Sequence, residues 1–265
     1  MHWRVIVDAR PRTGAENMAV DHALLERVQA GDGPYLRLYR WDPPCLSLGR
    51  NQPVAGLEVA AAAAARGIDV VRRPTGGLAV YHDREVTYAV AVPVGVLGSP
   101  RATYRAINRA LVAGLRRLGV PADVAAPARA GRRGGADWAA PCFDAAAPGE
   151  VVVGGRKLVG SAQRAERRTL LQHGSLLLAG DQREAAELLG ATRGRAGDVA
   201  AGGVTSLAAV LGRVPPWDVV AAAVRGGFED ALGIRLEEAA PDRALDARVR
   251  ALTARYRSGD WTWRR

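Results

Sequence analysis

Two side chains in this sequence have the chemistry of a reactive pair, a thiol and an ammonium that stand 15 positions apart. Cys142 can act as a thiolate, the reactive form of cysteine, and neighbouring cations lower the pKa of such a group. Lys157 is the only lysine among the 37 basic residues, so a compact point charge is kept where the chain otherwise uses arginine. If the fold brings the two together, a nucleophile and a charge stabiliser are in place. A buried inert thiol and a lysine kept by chance are the alternatives.

Two stretches of small residues could bring backbone N–H groups close to a ligand. Gly76 and Gly77 end the run 72–77, where a proline and paired glycines force a tight loop with space for an acyl or phosphoryl oxygen. Gly160-Ser161-Ala162 follows Lys157 and permits a similar close approach. The spacing matches neither the dinucleotide-binding nor the Walker pattern, so we infer neither site. A simple hairpin turn and close packing of two elements are the alternatives.

Two of the four histidines lie in or directly after predicted strands and are candidates for proton transfer. His82 and His173 could each act as a general base, while a structural histidine with satisfied hydrogen bonds is the alternative for both. Cys45 lies within an apolar strand segment and is interpreted as a core residue.

The composition is typical of a single soluble domain of enzyme size. Of the 265 residues, 48% are hydrophobic and 24% are charged. Two cysteines cannot form a disulfide scaffold, and without Cys-x-x-Cys or His-x-x-x-His spacing we predict no metal site. A reducing, cytoplasmic setting is expected. Without an apolar run of spanning length or the order of a signal peptide, we expect neither export nor a membrane protein.

The net charge of +10 suggests an anionic partner. Basic surfaces bind phosphate backbones, but here the charge is scattered in short pairs with no basic stripe or interleaved aromatic residues. We therefore predict no nucleic-acid partner. A basic surface serves equally well to attract an acidic protein.

Alternating short strands and helices must position the candidate residues. Hydrophobic periodicity, capping signals and breakers predict helices at 13–28, 57–66 and 101–118. They predict strands at 35–41, 45–48, 68–71, 78–81, 85–92 and 169–178, with a hairpin of 151–153 and 156–159. The Ala-, Gly- and Arg-rich stretch 124–140 is predicted as a mobile loop directly before Cys142. From 182 onward helices dominate, with a strand at 234–236.

Several runs in one order resemble the biotin/lipoate A/B protein ligase family. Arg72-Arg73-Pro74-Thr75-Gly76-Gly77 with 79–83 is similar to its substrate-binding loop, and 155–163 around Lys157 is similar to its lysine motif. The segments that extend the resemblance over nearly the whole chain are 16–21, 47–52, 171–175, and 255–258 with Trp261.

The resemblance implies an α/β (α+β) fold, a mixed β-sheet flanked by helices. It implies one catalytic domain over 1–265, helix-rich from about 182 to 265. The substrate-binding residues that it implies are Arg72, Arg73, Thr75, Gly76, Gly77, His82, Gly160, Ser161, Ala162 and His173.

Within the family the run Pro141-Cys142-Phe143-Asp144 is similar to the nucleophile motif of octanoyltransferases. This resemblance implies that Cys142 and Lys157 are catalytic and that no cofactor is needed. The octanoyl group would pass from octanoyl-acyl carrier protein, through a cysteine thioester, to a lysine of a lipoyl domain or glycine-cleavage H protein. An ATP-dependent lipoate-protein ligase and a lipoyl-relay amidotransferase are the alternatives.

Overall fold

The computed structural model describes residues 2–54, 56–126, 147–190, 203–239 and 242–264. The strands are β1 (His2–Arg12), β2 (Tyr35–Trp41), β3 (Cys45–Leu48), β4 (Asp69–Arg72), β5 (Val80–His82), β6 (Glu85–Pro93), β7 (Ala122–Val124), β8 (Val151–Val153), β9 (Arg156–Glu166), β10 (Thr169–Leu177) and β11 (Arg235–Glu238). The helices are α1 (Gly14–Gln29), α2 (Gly56–Ala65), α3 (Pro100–Arg117), α4 (Arg183–Leu188), α5 (Leu207–Leu211), α6 (Trp217–Leu232), α7 (Arg243–Arg257) and α8 (Gly259–Thr262).

These strands form two sheets. The large sheet has the order β11-β1-β2-β6-β10-β9-β8-β7, in which β1 runs parallel to β2 and β11 and the other neighbours are antiparallel. In the small sheet, β3 lies between a parallel β4 and an antiparallel β5. The predicted mixed β-sheet flanked by helices is therefore confirmed.

Helices cover both faces of the large sheet, and strand β6 has the pattern that this requires. Val86, Tyr88, Val90 and Val92 pack in the core that also contains residues of α3 and α6. Ala89 and Ala91, between them, pack in the core beneath α1 and α7. Alternate residues of a strand point to opposite faces, so both faces of β6 are buried from Glu85 to Val92.

Local signals set most of the element boundaries. Thr13 and Glu16 form a capping box at the start of α1, as their spacing predicts. Ser99 accepts a hydrogen bond at the start of α3, and Pro100 stands at its first position. The 151–153 and 156–159 hairpin is present, but β9 continues to Glu166.

The middle of the chain differs from the predicted loop at its start. Ala122–Val124 is strand β7, paired with β8, so the predicted loop from 124 begins within a strand. Residues 127–146, which hold most of that loop and also Cys142, lie outside the described residues. Within the described ranges, no helix has both the length and the apolar character needed to cross a bilayer.

A buried arginine ties α1 to the large sheet and gives a first testable prediction. Arg37, with no exposed surface, donates to Asp21 Oδ1 at 2.9 Å and to Asp8 Oδ2 at 3.0 Å. Arg37→Met should lower the free energy of unfolding by about 3–5 kcal/mol, because it leaves a buried carboxylate without its cation.

Urea unfolding measures this loss. Arg40→Met is the control, since Arg40 is exposed on the same strand, and it should change the free energy by less than about 1 kcal/mol. Equal stability of the two variants would contradict the assignment.

Candidate active site

A pocket lies between the two sheets, where their strands face each other. Its empty volume is about 360 Å³, including space at its mouth. Among its lining residues are the predicted site residues Arg73, His82, Gly160, Ser161, Ala162 and His173. The other lining residues are Met18, Tyr39, Trp41, Ser47, Val80, Thr87, Gly174 and Ser175. Most of the predicted substrate-binding residues are thus brought together.

One side of the pocket holds a buried histidine between a carboxylate and a hydroxyl. His173 Nδ1 lies 2.9 Å from Asp21 Oδ2, and its Nε2 lies 2.6 Å from Thr75 Oγ1. The carboxylate fixes the tautomer, so Nδ1–H donates to Asp21 and the Thr75 hydroxyl donates to Nε2. Burial lowers the pKa of His173, although the hydrogen bond and charge of Asp21 oppose this change. The ring is therefore neutral at pH 7.

A second histidine in the pocket has the same arrangement. His82 Nε2 lies 2.7 Å from Ser47 Oγ, and its Nδ1 lies 2.8 Å from Glu85 Oε1. The Thr87 hydroxyl also donates to Glu85, and the Trp41 ring stacks on His82 with the centroids 4.1 Å apart. His82 and His173 are thus fixed in orientation, and each Nε2 accepts from a hydroxyl.

Arg73 holds the glycine-rich loop in place from inside the protein. Its guanidinium donates to the carbonyls of Gly76 and Leu78, each at 2.7 Å, and to the carbonyl of Ser47 at 2.9 Å. Gly77 has a φ of +90°, which a residue with a side chain rarely adopts. The loop is therefore a fixed turn, and its shape depends on Arg73.

The close approach of Gly49 to this loop provides a second prediction. A Cβ on Gly49 would lie 1.8 Å from the carbonyl oxygen of Gly77, whereas one on Gly76 would have nothing within 4 Å. Gly49→Ala must displace backbone and should cost about 1–3 kcal/mol of stability. Gly76→Ala is the matched control and should leave the melting temperature nearly unchanged. Similar melting temperatures for the two variants would mean that Gly49 does not position the loop.

Arg72, although adjacent to Arg73, does not line the pocket. It is 1% exposed, and its guanidinium donates to the carbonyls of Gly49, Gln52 and Thr262 at 2.6–2.8 Å. These bonds join the glycine loop region to the last helix. Its observed contacts therefore indicate that Arg72 positions the loop from outside the pocket.

Lys157 lies on β9, three residues before Gly160, and is 1% exposed. Its Nζ lies 2.8 Å from Glu150 Oε1, a carboxylate that is itself 4% exposed. Burial raises the pKa of Glu150, while the Lys157 charge opposes this rise. The sole lysine is thus held in a buried ion pair on the strand that lines the pocket, although Lys157 itself is outside the lining.

Glu150 also connects Lys157 to the chain that leads back to Cys142. Its Oε2 accepts from the backbone N–H of Ala147 at 2.7 Å, and its own carbonyl accepts from Ala125 N–H at 2.7 Å. Ala125 and Ala147, which flank the segment 127–146, are thereby held beside the ion pair. Cys142 is five residues before Ala147, a reach of at most about 18 Å in an extended chain.

The three carboxylates that orient these groups, those of Asp21, Glu85 and Glu150, are not among the predicted site residues. Asp21 lies in a segment that carries the family resemblance, and so does Ser47, the hydroxyl partner of His82. Glu85 and Glu150 lie outside those segments. A usable signal existed for Glu150, because the predicted 151–153 and 156–159 hairpin places it near Lys157.

Comparison with known proteins agrees with this geometry. The model of the family described as the lipoyl protein ligase A/B catalytic domain matches residues 13–229. The chain belongs to that family. The resemblance seen in the sequence is therefore confirmed.

Two curated relatives in this lipoyl protein ligase A/B family are similar along their whole length. Octanoyltransferase LipM of Kyrpidia tusciae is 42% identical over 273 residues, covering 99% of both chains. Octanoyltransferase LipM of Symbiobacterium thermophilum is 37% identical over 272 residues, covering 100% of this chain and 99% of the relative. The prediction that the chain is an acyltransferase of the octanoyltransferase class is confirmed.

A solved structure of a lipoate-protein ligase A bound with ATP has the same fold. It is 26% identical, covers 99% of both chains and superposes with a TM-score of 0.79. The same scaffold therefore carries a ligase in that structure and octanoyltransferases among the curated relatives, so the fold alone does not distinguish the two chemistries.

Proposed function

We propose that this enzyme transfers an octanoyl group from octanoyl-acyl carrier protein to a lysine of a lipoyl domain or glycine-cleavage H protein, through a thioester on Cys142. The reaction belongs to lipoate biosynthesis. The arrangement that carries the proposal is Lys157, buried against Glu150, beside the chain that leads to Cys142. A free thiol of this kind also fits the reducing cytoplasm expected from the cysteine count.

In the first half-reaction the Cys142 thiolate attacks the carbonyl carbon of the donor thioester. A new S–C bond forms, the bond to the pantetheine sulfur breaks, and that sulfur leaves as a thiol after taking up a proton. The acyl-enzyme lets two protein substrates use one site in turn, because the carrier has departed before the acceptor arrives.

In the second half-reaction the neutral amine of the acceptor lysine attacks the enzyme thioester. An amide bond forms, the bond to Cys142 breaks, and the proton lost by the nitrogen restores the thiol. The neutral imidazole of His173 and the oriented imidazole of His82 are available to relay that proton within the pocket.

Lys157 is the group proposed to stabilise negative charge in both half-reactions. An ammonium with little water around it interacts strongly with an oxyanion or a thiolate. Glu150 holds this ammonium in position before substrate arrives and, through Ala147, holds the adjoining chain beside it. Both contacts support a role for Lys157 close to Cys142.

The acyl chain is proposed to occupy the pocket between the sheets. Gly160, Ala162 and Gly174 leave room along its wall, and Met18 and Val80 contribute apolar surface. Gly174 is required for packing, since a Cβ there would lie 2.4 Å from the Gly160 carbonyl oxygen and 2.7 Å from the Tyr88 ring. Small residues on β9 and β10 thus support a site for a narrow chain.

Intact mass spectrometry tests the proposal. Incubation of the full chain with octanoyl-acyl carrier protein should add one octanoyl group that hydroxylamine removes, and peptide mapping should place it on Cys142. Absence of a thioester adduct during productive transfer would contradict the covalent route.

An ATP-dependent ligase is the second candidate, because the similar solved structure binds ATP. Free lipoate or octanoate with ATP would then modify the acceptor and release pyrophosphate, without carrier protein. A relay activity would instead use an octanoylated lipoyl domain as donor. Competition among these three donors at equal concentration decides, and we expect the carrier thioester to be preferred.

A further inference from the structure

Four arginines converge beside the glycine-rich loop, and we call them the arginine cluster: Arg50, Arg164, Arg255 and Arg264. The guanidinium carbons of Arg264, Arg255 and Arg50 lie 3.9, 4.1 and 5.9 Å from the centre of the Trp261 ring. Stacking on an aromatic face gathers these cations although they repel one another. Trp261 is itself fixed, since its indole N–H donates to the Arg72 carbonyl at 2.8 Å.

Positive charge in the arginine cluster is poorly compensated. Glu166 pairs with Arg164 at 2.5 Å, but no carboxylate among the described residues forms an ion pair with Arg50, Arg255 or Arg264. Burial, followed by the charge of Arg50, lowers the pKa of both Arg164 and Arg264. Such an excess of cations is stabilised when an anion binds.

Arg72 adds a fifth cation directly beneath. Burial, followed by the charges of Arg264 and Arg73, lowers the pKa of Arg72 to about 10. Its Nη2 is buried and has no hydrogen-bond partner among the described residues. A buried donor without an acceptor is costly, and this one lies where the charge imbalance is greatest.

The arginine cluster adjoins the pocket. Arg164 follows Ala162 by two residues on β9, so alternation places it on the same face, roughly 7 Å further along the strand. Its Nη1 donates to the Pro74 carbonyl at 3.3 Å, and the Arg50 backbone N–H donates to the Thr75 carbonyl at 2.8 Å. An elongated ligand in the pocket can therefore place an anionic end at the cluster.

We infer that the arginine cluster binds a phosphate ester at one end of the acyl pocket. Guanidinium groups form paired hydrogen bonds to phosphate oxygens, and several of them converge on one point here. A diffuse acidic surface would not need such convergence on a single ring. A phosphate group is small and carries more than one negative charge, so it matches guanidinium groups that converge on one point.

The source of this phosphate rests on the proposed function. A pantetheine arm joins the donor thioester to its carrier protein through a phosphate ester. A nucleotide phosphate is the other source of the same chemistry.

Titration calorimetry with 4′-phosphopantetheine and with pantetheine tests the site on the full chain. The wild type should bind the phosphorylated compound at least about tenfold more tightly, the size of a lost charge-assisted hydrogen bond. In the double variant Arg255→Gln/Arg264→Gln this preference should disappear, and in Arg50→Gln it should weaken. Equal affinity of the wild type for both compounds together with no binding of ATP at the cluster, or an unchanged preference in the double variant, would overturn the inference.

Arg257→Gln is the matched control. Arg257 lies on α7 as Arg255 does, but it is exposed and faces Glu16 at 3.7 Å, away from the arginine cluster. It should keep the full preference for the phosphorylated compound. Melting temperatures of all variants separate loss of the site from loss of the fold.

Two further experiments identify the source of the phosphate. Acylation by octanoyl-phosphopantetheine should exceed acylation by octanoyl-pantetheine by the same factor as binding. If neither thioester acylates the enzyme while phosphopantetheine still binds, the proposed function fails and the phosphate site stands. If ATP binds at the arginine cluster and the wild type binds phosphopantetheine no more tightly than pantetheine, the phosphate comes from a nucleotide and not from the pantetheine arm of the donor.

Discussion

Cys142→Ala should abolish octanoyl transfer from the carrier thioester, with a loss on the order of 10⁴ to 10⁶ in turnover, the range seen when a covalent nucleophile is removed. The reason is chemical, because alanine offers no atom that can hold the acyl group between donor and acceptor. Product formation on a lipoyl domain measures the loss, and intact mass reports the missing adduct.

The other cysteine provides a matched control within the same chain. Cys45 is fully buried, and burial raises the pKa of its thiol well above the usual value, so it is an unreactive core group. Cys45→Ala should keep full acylation, and Cys142→Ala should carry no adduct although Cys45 remains. Turnover retained in Cys142→Ala would rule out the covalent step.

The prediction of the fold succeeded where local physics dominates. The capping box of α1, the strand 35–41 and the hairpin that contains Lys157 follow from side chains within a few residues of one another. Strand β9 was predicted to end at 159, yet it runs to Glu166. Gly160-Ser161-Ala162 has low strand propensity, and pairing with β10 overrides it.

Local patterns could not find the groups that orient the site. Asp21 contacts His173 across 152 positions, and Thr75 contacts it across 98. An aspartate on a buried helix face has no periodic signature that separates a functional partner from a structural one. Only packing of α1 against β10 places its carboxylate at the imidazole. The sequence identifies the residue types that can do chemistry, but which of them contact one another depends on the tertiary fold.

The arginine cluster also could not be predicted from local sequence patterns. Its members come from the turn after β3, from β9, from α7 and from the residues after α8, and each alone is one more arginine in an arginine-rich chain. What distinguishes them is their convergence, since Arg50, Arg255 and Arg264 share the ring of Trp261 and the charge of Arg50 acts on Arg164. Composition gave the net charge of +10, and only the fold concentrates part of it beside the pocket.

Lys157→Arg should reduce octanoyl transfer by about 10² to 10³, the cost of losing one preorganised charge at a developing oxyanion. Charge is kept in this variant, but the planar guanidinium is larger and spreads its charge over three nitrogens. The ammonium lies 2.8 Å from Glu150 and is 1% exposed, so the longer group cannot take the same position without moving the ion pair.

Arg156→Lys is the control variant, because it also interchanges arginine and lysine at a position on β9. Arg156 directly precedes Lys157 and is exposed, so its replacement should leave the rate within about twofold of wild type. Lys157→Met removes the charge at similar length and should be at least as impaired as Lys157→Arg. A near-normal rate for Lys157→Arg would defeat the requirement for a compact ammonium.

Acylation kinetics separate a chemical role of Lys157 from a structural one. If Lys157 acts only through its pair with Glu150, then Lys157→Arg and Glu150→Gln should lose stability and activity in proportion. A charge that stabilises the transition state predicts a different result, in which Lys157→Arg keeps most of its melting temperature and loses the rate of adduct formation. Glu150 uses Oε1 for Lys157 and Oε2 for the Ala147 N–H, and Glu150→Gln leaves only one acceptor oxygen, so one of these contacts is lost and this variant should lose melting temperature as well as rate.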